Sequence, residues 1–297
     1  MFIDIHAHAF RRPIPFITQF CSAEELITRY DQAGIEKGMV LPIVSPEIYL
    51  PQANEDILDM AAQYPDRLIP FCNIDPRALT NASDAPLDRL LRYYKDKGCK
   101  GVGEIMLNLP TMHPMVQNLF KHAEAVGLPV TCDGSDVVGG DFGLYDDPGL
   151  PQTEHTLQRF PKLQVIGHGP VFWAEISRLE TPAQRKTVFR PDGEQVGWNP
   201  PVGKITEEGV IQKLFRRYGN LYGELSDAYP ALVRDADYGP KFLTEFQDRL
   251  MFGTDICSFV HEFKTRDLLL SWREKKLISE TVFNKIAREN AIKFFAL

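Results

Sequence analysis

Short apolar runs alternate with longer amphipathic segments along the 297 residues of this chain. The first apolar run, FIDIH at 2–6, predicts a strand, and CSAEELITRYDQAGIEKG at 21–38 predicts a helix. Ser22 and Glu25 have the spacing of a capping box, and Gly34 is a typical helix stop. The same pattern predicts seven further strands at 38–44, 68–75, 100–107, 128–134, 163–169, 221–226 and 249–255. Helical patterns separate them, and two helices, near 263–275 and 279–296, close the chain.

Eight strands, each followed by a helix, predict parallel pairing with right-handed crossovers. We therefore expect an α/β fold, a (β/α)8 TIM barrel with closing C-terminal helices, over a single domain at 1–297. An open doubly wound sheet is the alternative, but it favours a glycine-rich turn after the first strand. The turn here, HAHAFRRP, has no glycine. A long proline- and glycine-containing segment at 181–205 is interpreted as a lid.

Composition and charge narrow the possible partners. The formal net charge of −7 argues against a nucleic-acid surface. No apolar run approaches the roughly 20 residues needed to cross a bilayer, and no signal peptide is recognisable at the N-terminus. Five scattered cysteines suit a reducing compartment better than a disulfide framework. We expect a cytoplasmic protein that acts on a small molecule without membrane or nucleic-acid partners, and that can form a homo-oligomer.

The predicted strand ends carry the side chains of metal and acid–base chemistry. In a TIM barrel, catalytic groups lie at the C-terminal ends of the strands. His6 and His8 alternate at the end of the first strand, so both imidazoles point to the same side and can converge on one divalent ion. Asp4, one step deeper, is expected to bond a loop or a ligand histidine. The other strand ends offer Glu104, Cys132, Asp133, His168, Glu224, Asp227 and Asp255.

Four motifs in order along the chain resemble the amidohydrolase superfamily: DIHAH at 4–8, KGVGEI at 100–105, VIGHGP at 165–170 and LMFGTD at 250–255. The resemblance is closest to the amidohydrolase-2 group, which includes aminocarboxymuconate-semialdehyde decarboxylase and predicted TIM-barrel metal-dependent hydrolases. It implies a barrel with one or two divalent ions, most often zinc. It further implies that His6 and His8 bind metal. Asp255 would bind metal and accept a proton from the attacking water, and His168 would be a second-metal ligand or an acid–base group.

One position departs from the pattern of the group. A metal-binding histidine usually ends strand five, whereas this chain has PVTCDG, with Asp133 at that place. Glu104 lies where some members use a bridging carboxylate. The expected metal site therefore has His6, His8, Glu104 and Asp255, completed by Asp133 or His168. Its carboxylates make manganese or iron alternatives to zinc.

Three functions remain open at this point. The first is a metal-dependent hydrolase that uses a metal-activated water on an amide, lactone or similar bond of a small molecule, with Asp255 and His168 as catalytic residues. The second is a metal-dependent, non-oxidative decarboxylase of a small unsaturated or aromatic carboxylic acid. The third is a barrel that binds a small molecule without catalysis. The missing strand-five histidine favours hydrolysis over decarboxylation.

Overall fold

The computed structural model describes residues 1–14, 20–46, 50–139, 142–185, 187–189, 195–198 and 201–297. Its strands are β1 Phe2–Ala7, β2 Ile35–Val40, β3 Leu68–Pro70, β4 Val102–Ile105, β5 Val130–Ser135, β6 Leu144–Tyr145, β7 Val165–His168, β8 Thr187–Phe189, β9 Gln195–Trp198, β10 Leu221–Glu224 and β11 Leu250–Met251. Helices α1 to α6 are Ala23–Ala33, Asn54–Gln63, Asp88–Asp96, Pro114–Val126, Pro151–Arg159 and Gly169–Ala174. Helices α7 to α12 are Val210–Arg217, Tyr229–Val233, Tyr238–Glu245, Lys264–Glu274, Glu280–Asn284 and Asn290–Phe295.

The parallel strands follow one another around a ring. One ladder has the order β1-β2-β3, and the other has β11-β10-β7-β5-β4. Single parallel bridges join the two ladders, Cys72 to Val102 on one side and Ala7 to Ile256 on the other. The predicted α/β TIM-barrel fold is confirmed, with the ring completed by these bridges rather than by continuous ladders.

Local sequence explains several boundaries. Ser22 caps α1 through a complete capping box with Glu25, and Gly34 ends the helix in the left-handed conformation. The second strand begins at Ile35, directly after that glycine, and so starts earlier than predicted. Helix α6, a short helix of the kind expected after the sixth predicted strand, begins directly after His168.

The predicted lid segment at 181–205 contains a 3-10 helix at Pro182–Arg185 and the antiparallel pair β8–β9. Residues 186, 190–194 and 199–200 of that segment lie outside the described residues. No helix in the described part of the chain is long and apolar enough to cross a membrane.

Two apolar layers hold the barrel together. Side chains from strands on different sides of the ring meet in its interior, and Phe295 of α12 joins them; this cluster contains Ile3, Ile5, Met39, Leu41, Phe71, Ile166 and Met251. A larger cluster fills the space between the ring and the helices. The last of the closing helices therefore contributes directly to the core.

Two strands are irregular where they reach the barrel mouth. From the pair Asp4–Gly38 to the pair Ala7–Val40, the chain advances three residues in β1 but only two in β2. Likewise, three steps from Val102 to Ile105 in β4 match two in β5. Such bulges bend a strand and redirect its side chains. They explain how both Ile5 and His6, which are neighbours in sequence, contribute side chains to the barrel interior.

Candidate metal centre

Four side chains converge at the barrel mouth: His6 of β1, His8 directly after that strand, Glu104 of β4, and Asp255 in the loop after β11. His6 Nε2 lies 3.1 Å from His8 Nε2, 3.3 Å from Glu104 Oε2 and 3.5 Å from Asp255 Oδ1. His8 Nε2 lies 3.2 Å from each of the same two carboxylate oxygens. These side chains are buried, except for the Asp255 side chain, which is 33% exposed.

The hydrogen bond at Nδ1 of each imidazole determines whether its Nε2 has a lone pair for a metal ion. His8 Nδ1 donates to the carbonyl of Leu41 at 2.8 Å. His6 Nδ1 lies 3.3 Å from Glu224 Oε2, to which it can only donate. In the neutral rings, both Nε2 atoms then carry lone pairs that face each other and two carboxylate oxygens. A group of four acceptors needs a shared proton or a cation at its centre.

The spacing of the four atoms fits a metal ion. Zinc binds nitrogen and oxygen ligands at about 2.0–2.1 Å, so tetrahedral ligands are separated by about 3.3–3.4 Å. The separations here are 3.1–3.5 Å. The donor set of two imidazoles and two carboxylates therefore suits zinc or manganese in both chemistry and size.

His168 extends the group on the other side of Glu104. Its Nε2 lies 3.3 Å from Glu104 Oε1, the oxygen that does not face His6 and His8. Its Nδ1 lies 2.6 Å from Glu224 Oε2. Ligand atoms of His6, Glu104, His168 and Asp255 all lie within 4.8 Å of one another. Glu104 thus links the imidazole pair of β1 to His168 of β7.

Glu224, at the end of β10, is the residue whose role the sequence did not assign. One oxygen, Oε2, contacts Nδ1 of both His6 and His168, and the other, Oε1, accepts the backbone N–H of Ser226 at 2.5 Å. A carboxylate in this position fixes the tautomer and orientation of both rings. A Cβ at Gly253 would overlap Glu224 Oε1, which explains the glycine of FGTD. The sequence contains one indication of a role for Glu224, namely its position at the end of a predicted strand.

The charges of the centre depend on one another. Burial and His168 act to lower the pKa of His6, but Glu104 and Glu224 outweigh them and raise it to about 10. Burial acts to raise the pKa of Asp255, but the hydrogen bond with His8 and the charge of His6 bring it below its ordinary value. Asp255 is therefore ionised at neutral pH.

Asp255 is held in an uncommon backbone conformation beside the cluster. Its φ is 51°, in the left-handed region, and its N–H donates to the carbonyl of His6 at 2.8 Å. Asp4 fixes the adjacent residue, since it accepts hydrogen bonds from both the N–H and the hydroxyl of Thr254. Asp4 also accepts from Tyr30, so it supports the seam between β1 and β11 and does not bond a ligand histidine ring.

Asp133 lies outside the converging group. It pairs with His168 in the register of β5 and β7, but its Oδ1 accepts the N–H of Gly134 at 2.8 Å and lies against Gly169. Burial, together with the nearby Glu104 carboxylate, raises its pKa well above the ordinary value. The role of Asp133 as a metal ligand stays a prediction without a supporting contact. Burial likewise raises the pKa of Cys132, which disfavours the thiolate that zinc would need.

An open cavity of about 590 Å³ adjoins the centre. It lies between α8 and the segment 261–266, and Asp227 and Asp255 form its inner side. This volume lies within the 300–1,000 Å³ range of small-molecule sites. Burial raises the pKa of Asp227 to about 7. The charge of His168 acts to lower this pKa, and the charges of Asp255 and Glu224 add to the increase.

Comparison with known structures finds barrels that share the fold of this chain. An uncharacterized TIM-barrel protein from Bordetella bronchiseptica has a TM-score of 0.64 at 18% identity, over 99% of this chain and 98% of that one. A probable 2-pyrone-4,6-dicarboxylic acid hydrolase from Acinetobacter baumannii, with citric acid bound, gives 0.61 at 17%, over 100% and 99%. A 5-carboxyvanillate decarboxylase from Novosphingobium aromaticivorans, complexed with manganese and a nitrobenzoic acid, gives 0.55 at 16%, over 93% and 81%.

At these identities the comparison establishes the fold. No protein-family model matches the chain, and the search of curated proteins found no match. Structures named as a hydrolase, as an amidohydrolase II and as a decarboxylase share this barrel, so the fold that the resemblance implied is confirmed.

Proposed function

We propose that this protein is a metal-dependent hydrolase of a small molecule with an amide, lactone or similar bond. The observation that carries the proposal is the convergence of His6 Nε2, His8 Nε2, Glu104 Oε2 and Asp255 Oδ1 at separations of 3.1–3.5 Å. These are the residues that would hold a divalent ion, zinc or manganese. When bound, such an ion supplies Lewis acidity and makes water nucleophilic at neutral pH.

The chain itself supplies the proton transfers. Asp255 is ionised and borders the cavity, so it can accept the proton of an attacking water and pass it to the leaving group. His168, held through Nδ1 by Glu224, presents Nε2 beside Glu104 and can stabilise negative charge that develops on the substrate. Burial of the inner side chains keeps bulk water from screening these interactions.

Decarboxylation is the second candidate, and the fixed His168 ring favours it. An imidazole held at Nδ1 by a carboxylate can deliver a proton from Nε2 to a substrate carbon. The carboxyvanillate decarboxylase among the structural neighbours, solved with manganese, is consistent with that reaction on this fold.

Elemental analysis and paired assays test the proposal. Purified protein is expected to carry a transition-metal ion, and removal of the ion by a chelator should abolish turnover until zinc or manganese is restored. Panels of small lactones and amides, and of aromatic carboxylic acids, would then be assayed for hydrolysis and for release of carbon dioxide. Protein that holds no ion after incubation with zinc or manganese would contradict both enzymatic functions.

A further inference from the structure

The cavity between α8 and the segment 261–266 has an unequal distribution of free charge. Its basic side chains are already engaged: Lys264 Nζ pairs with Glu262 Oε2 at 3.2 Å. Arg266 donates to the carbonyl of Ala33 and to Asp267. Burial lowers the pKa of His261, so this ring adds no positive charge at neutral pH. Lys264 and Arg266 of the described lining thus already have carboxylate or carbonyl partners, whereas Asp227 has none within hydrogen-bonding distance.

Asp227 is the cavity carboxylate without a close partner. Its nearest basic atom is His168 Nε2 at 3.8 Å, beyond hydrogen-bonding distance, and no hydrogen bond to its carboxylate is found within the described structure. The side chain is 33% exposed and faces the cavity beside Asp255. A carboxylate in a partly desolvated position gains most from a cationic or hydrogen-bond-donating ligand.

Asp227 stands apart from the atoms that would hold the metal ion. Among the hydrogen bonds and ion pairs of the described residues, only His168 Nε2 approaches its carboxylate, at 3.8 Å. The same cavity is lined by Tyr229, Pro230 and Val233 of α8, which offer a largely apolar, half-buried surface.

We propose that this cavity is the substrate subsite of the centre, and that it selects small molecules with an ammonium group joined to an apolar part. The inference rests on the proposed function for the position of the reacting bond. Asp227 would pair with the ammonium group, while the apolar part packs on Tyr229 and Val233. Carboxylate-bearing ligands of the same size would be disfavoured, because they would face Asp227 while Lys264 and Arg266 are already paired.

The test uses metal-loaded protein and three probes of similar size, namely benzylamine, benzyl alcohol and benzoate. Ligand-observed NMR should give the tightest binding for benzylamine and at least tenfold weaker binding for benzoate. Asp227→Asn should reduce benzylamine to the affinity of benzyl alcohol, and Asp227→Glu should restore part of the difference. Val233→Phe should weaken benzylamine and benzyl alcohol alike by filling the cavity. Glu207→Gln, which changes an exposed carboxylate paired with Arg178 outside the cavity lining, is the matched control and should change nothing.

Benzoate that binds as tightly as benzylamine to the wild type would overturn the inference without any variant. So would an Asp227→Asn protein that retains the preference, or one that loses its metal ion, which would place Asp227 at the metal. Metal content is measured in every sample. Wild-type protein that holds its ion but fails the probe test contradicts only this subsite, whereas protein that holds no ion contradicts the proposed function itself.

Discussion

At the barrel mouth, strands that contain a bulge and strands in regular register differ in where they place the polar side chains at their ends. β1 and β4 each contain a bulge, and His6, His8 and Glu104 meet there within 3.3 Å of one another. β5 and β7 run side by side in unbroken register up to the pair Asp133–His168. In that pair, only His168 contacts the cluster, and Asp133 bonds its own neighbouring N–H. The bulged strands thus bring three polar side chains into the centre, whereas the regular pair brings only His168, so a position at a strand end does not by itself place a side chain in the centre.

Removing a ligand from a bulged strand should have the largest effect. Glu104→Ala takes away the carboxylate that contacts His6, His8 and His168, so it leaves these imidazoles without their shared anion. We expect metal affinity and turnover to fall by more than about 100-fold, because even residues outside the ligand set cost 10–100-fold. Metal titration and elemental analysis measure the loss. An unchanged metal content would show that the convergence of β1 and β4 does not form the ion site.

Changing the carboxylate that orients the rings should have the next largest effect. Glu224→Gln keeps the size of the side chain but removes the charge that holds Nδ1 of His6 and His168. We expect metal affinity to fall about 10–100-fold. Ser226→Ala, which removes only a hydroxyl beside Glu224, is the control and should have a smaller effect. Equal losses in both variants would argue against orientation by Glu224.

The pH should change metal affinity in one direction. His6 has a pKa of about 10 in the metal-free protein, so at pH 7 an ion must displace its proton. Affinity should therefore rise about tenfold per pH unit for one displaced proton, until the pH reaches that pKa. Calorimetry in buffers of different ionisation enthalpy counts the released protons. Affinity that does not depend on pH would contradict this protonation of the cluster.

The stability of the metal-free protein should follow the opposite trend. The pKa of His6 is raised from 6.5, so its stabilising contribution is complete below about pH 6.5 and is lost as the pH rises towards 10. Burial raises the pKa of Asp4 from 3.8 to about 7, which also lowers the free energy of unfolding as the pH rises through that interval. Thermal unfolding of the metal-free protein between pH 5 and 9 should show a falling Tm. A rising Tm over that range would contradict both assignments.

The smallest effect is expected on the regular strand. Asp133→Asn preserves the shape of a carboxyl whose raised pKa favours the neutral form, and its contact is with Gly134. Metal content should match the wild type in elemental analysis. A loss of the ion would restore Asp133 to the ligand set that the sequence suggested and would remove the contrast between bulged and regular strands.

Local sequence determined the frame of this protein. The alternation of apolar and amphipathic segments identified the eight barrel strands and the closing helices. A strand buried on both faces is a continuous apolar run and a helix has a 3.6-residue periodicity, so both patterns can be recognised from residues that are close in sequence. The predicted strand ends also identified candidate site residues, because the C-terminal ends of the parallel strands all lie at one face of the barrel. These residues are His6, His8, Glu104, His168 and Asp255.

The tertiary structure decided which of these side chains meet. Pairing between strands distant in sequence creates the bulges at His6 and Glu104, and no local pattern encodes a register shift against another strand. The same distance hides Glu224, whose partners are 218 and 56 residues away. Asp133 stood at an expected ligand position, but Gly134 and Gly169 let its carboxylate turn aside. Side-chain direction depends on packing partners, and those are fixed only when the barrel closes.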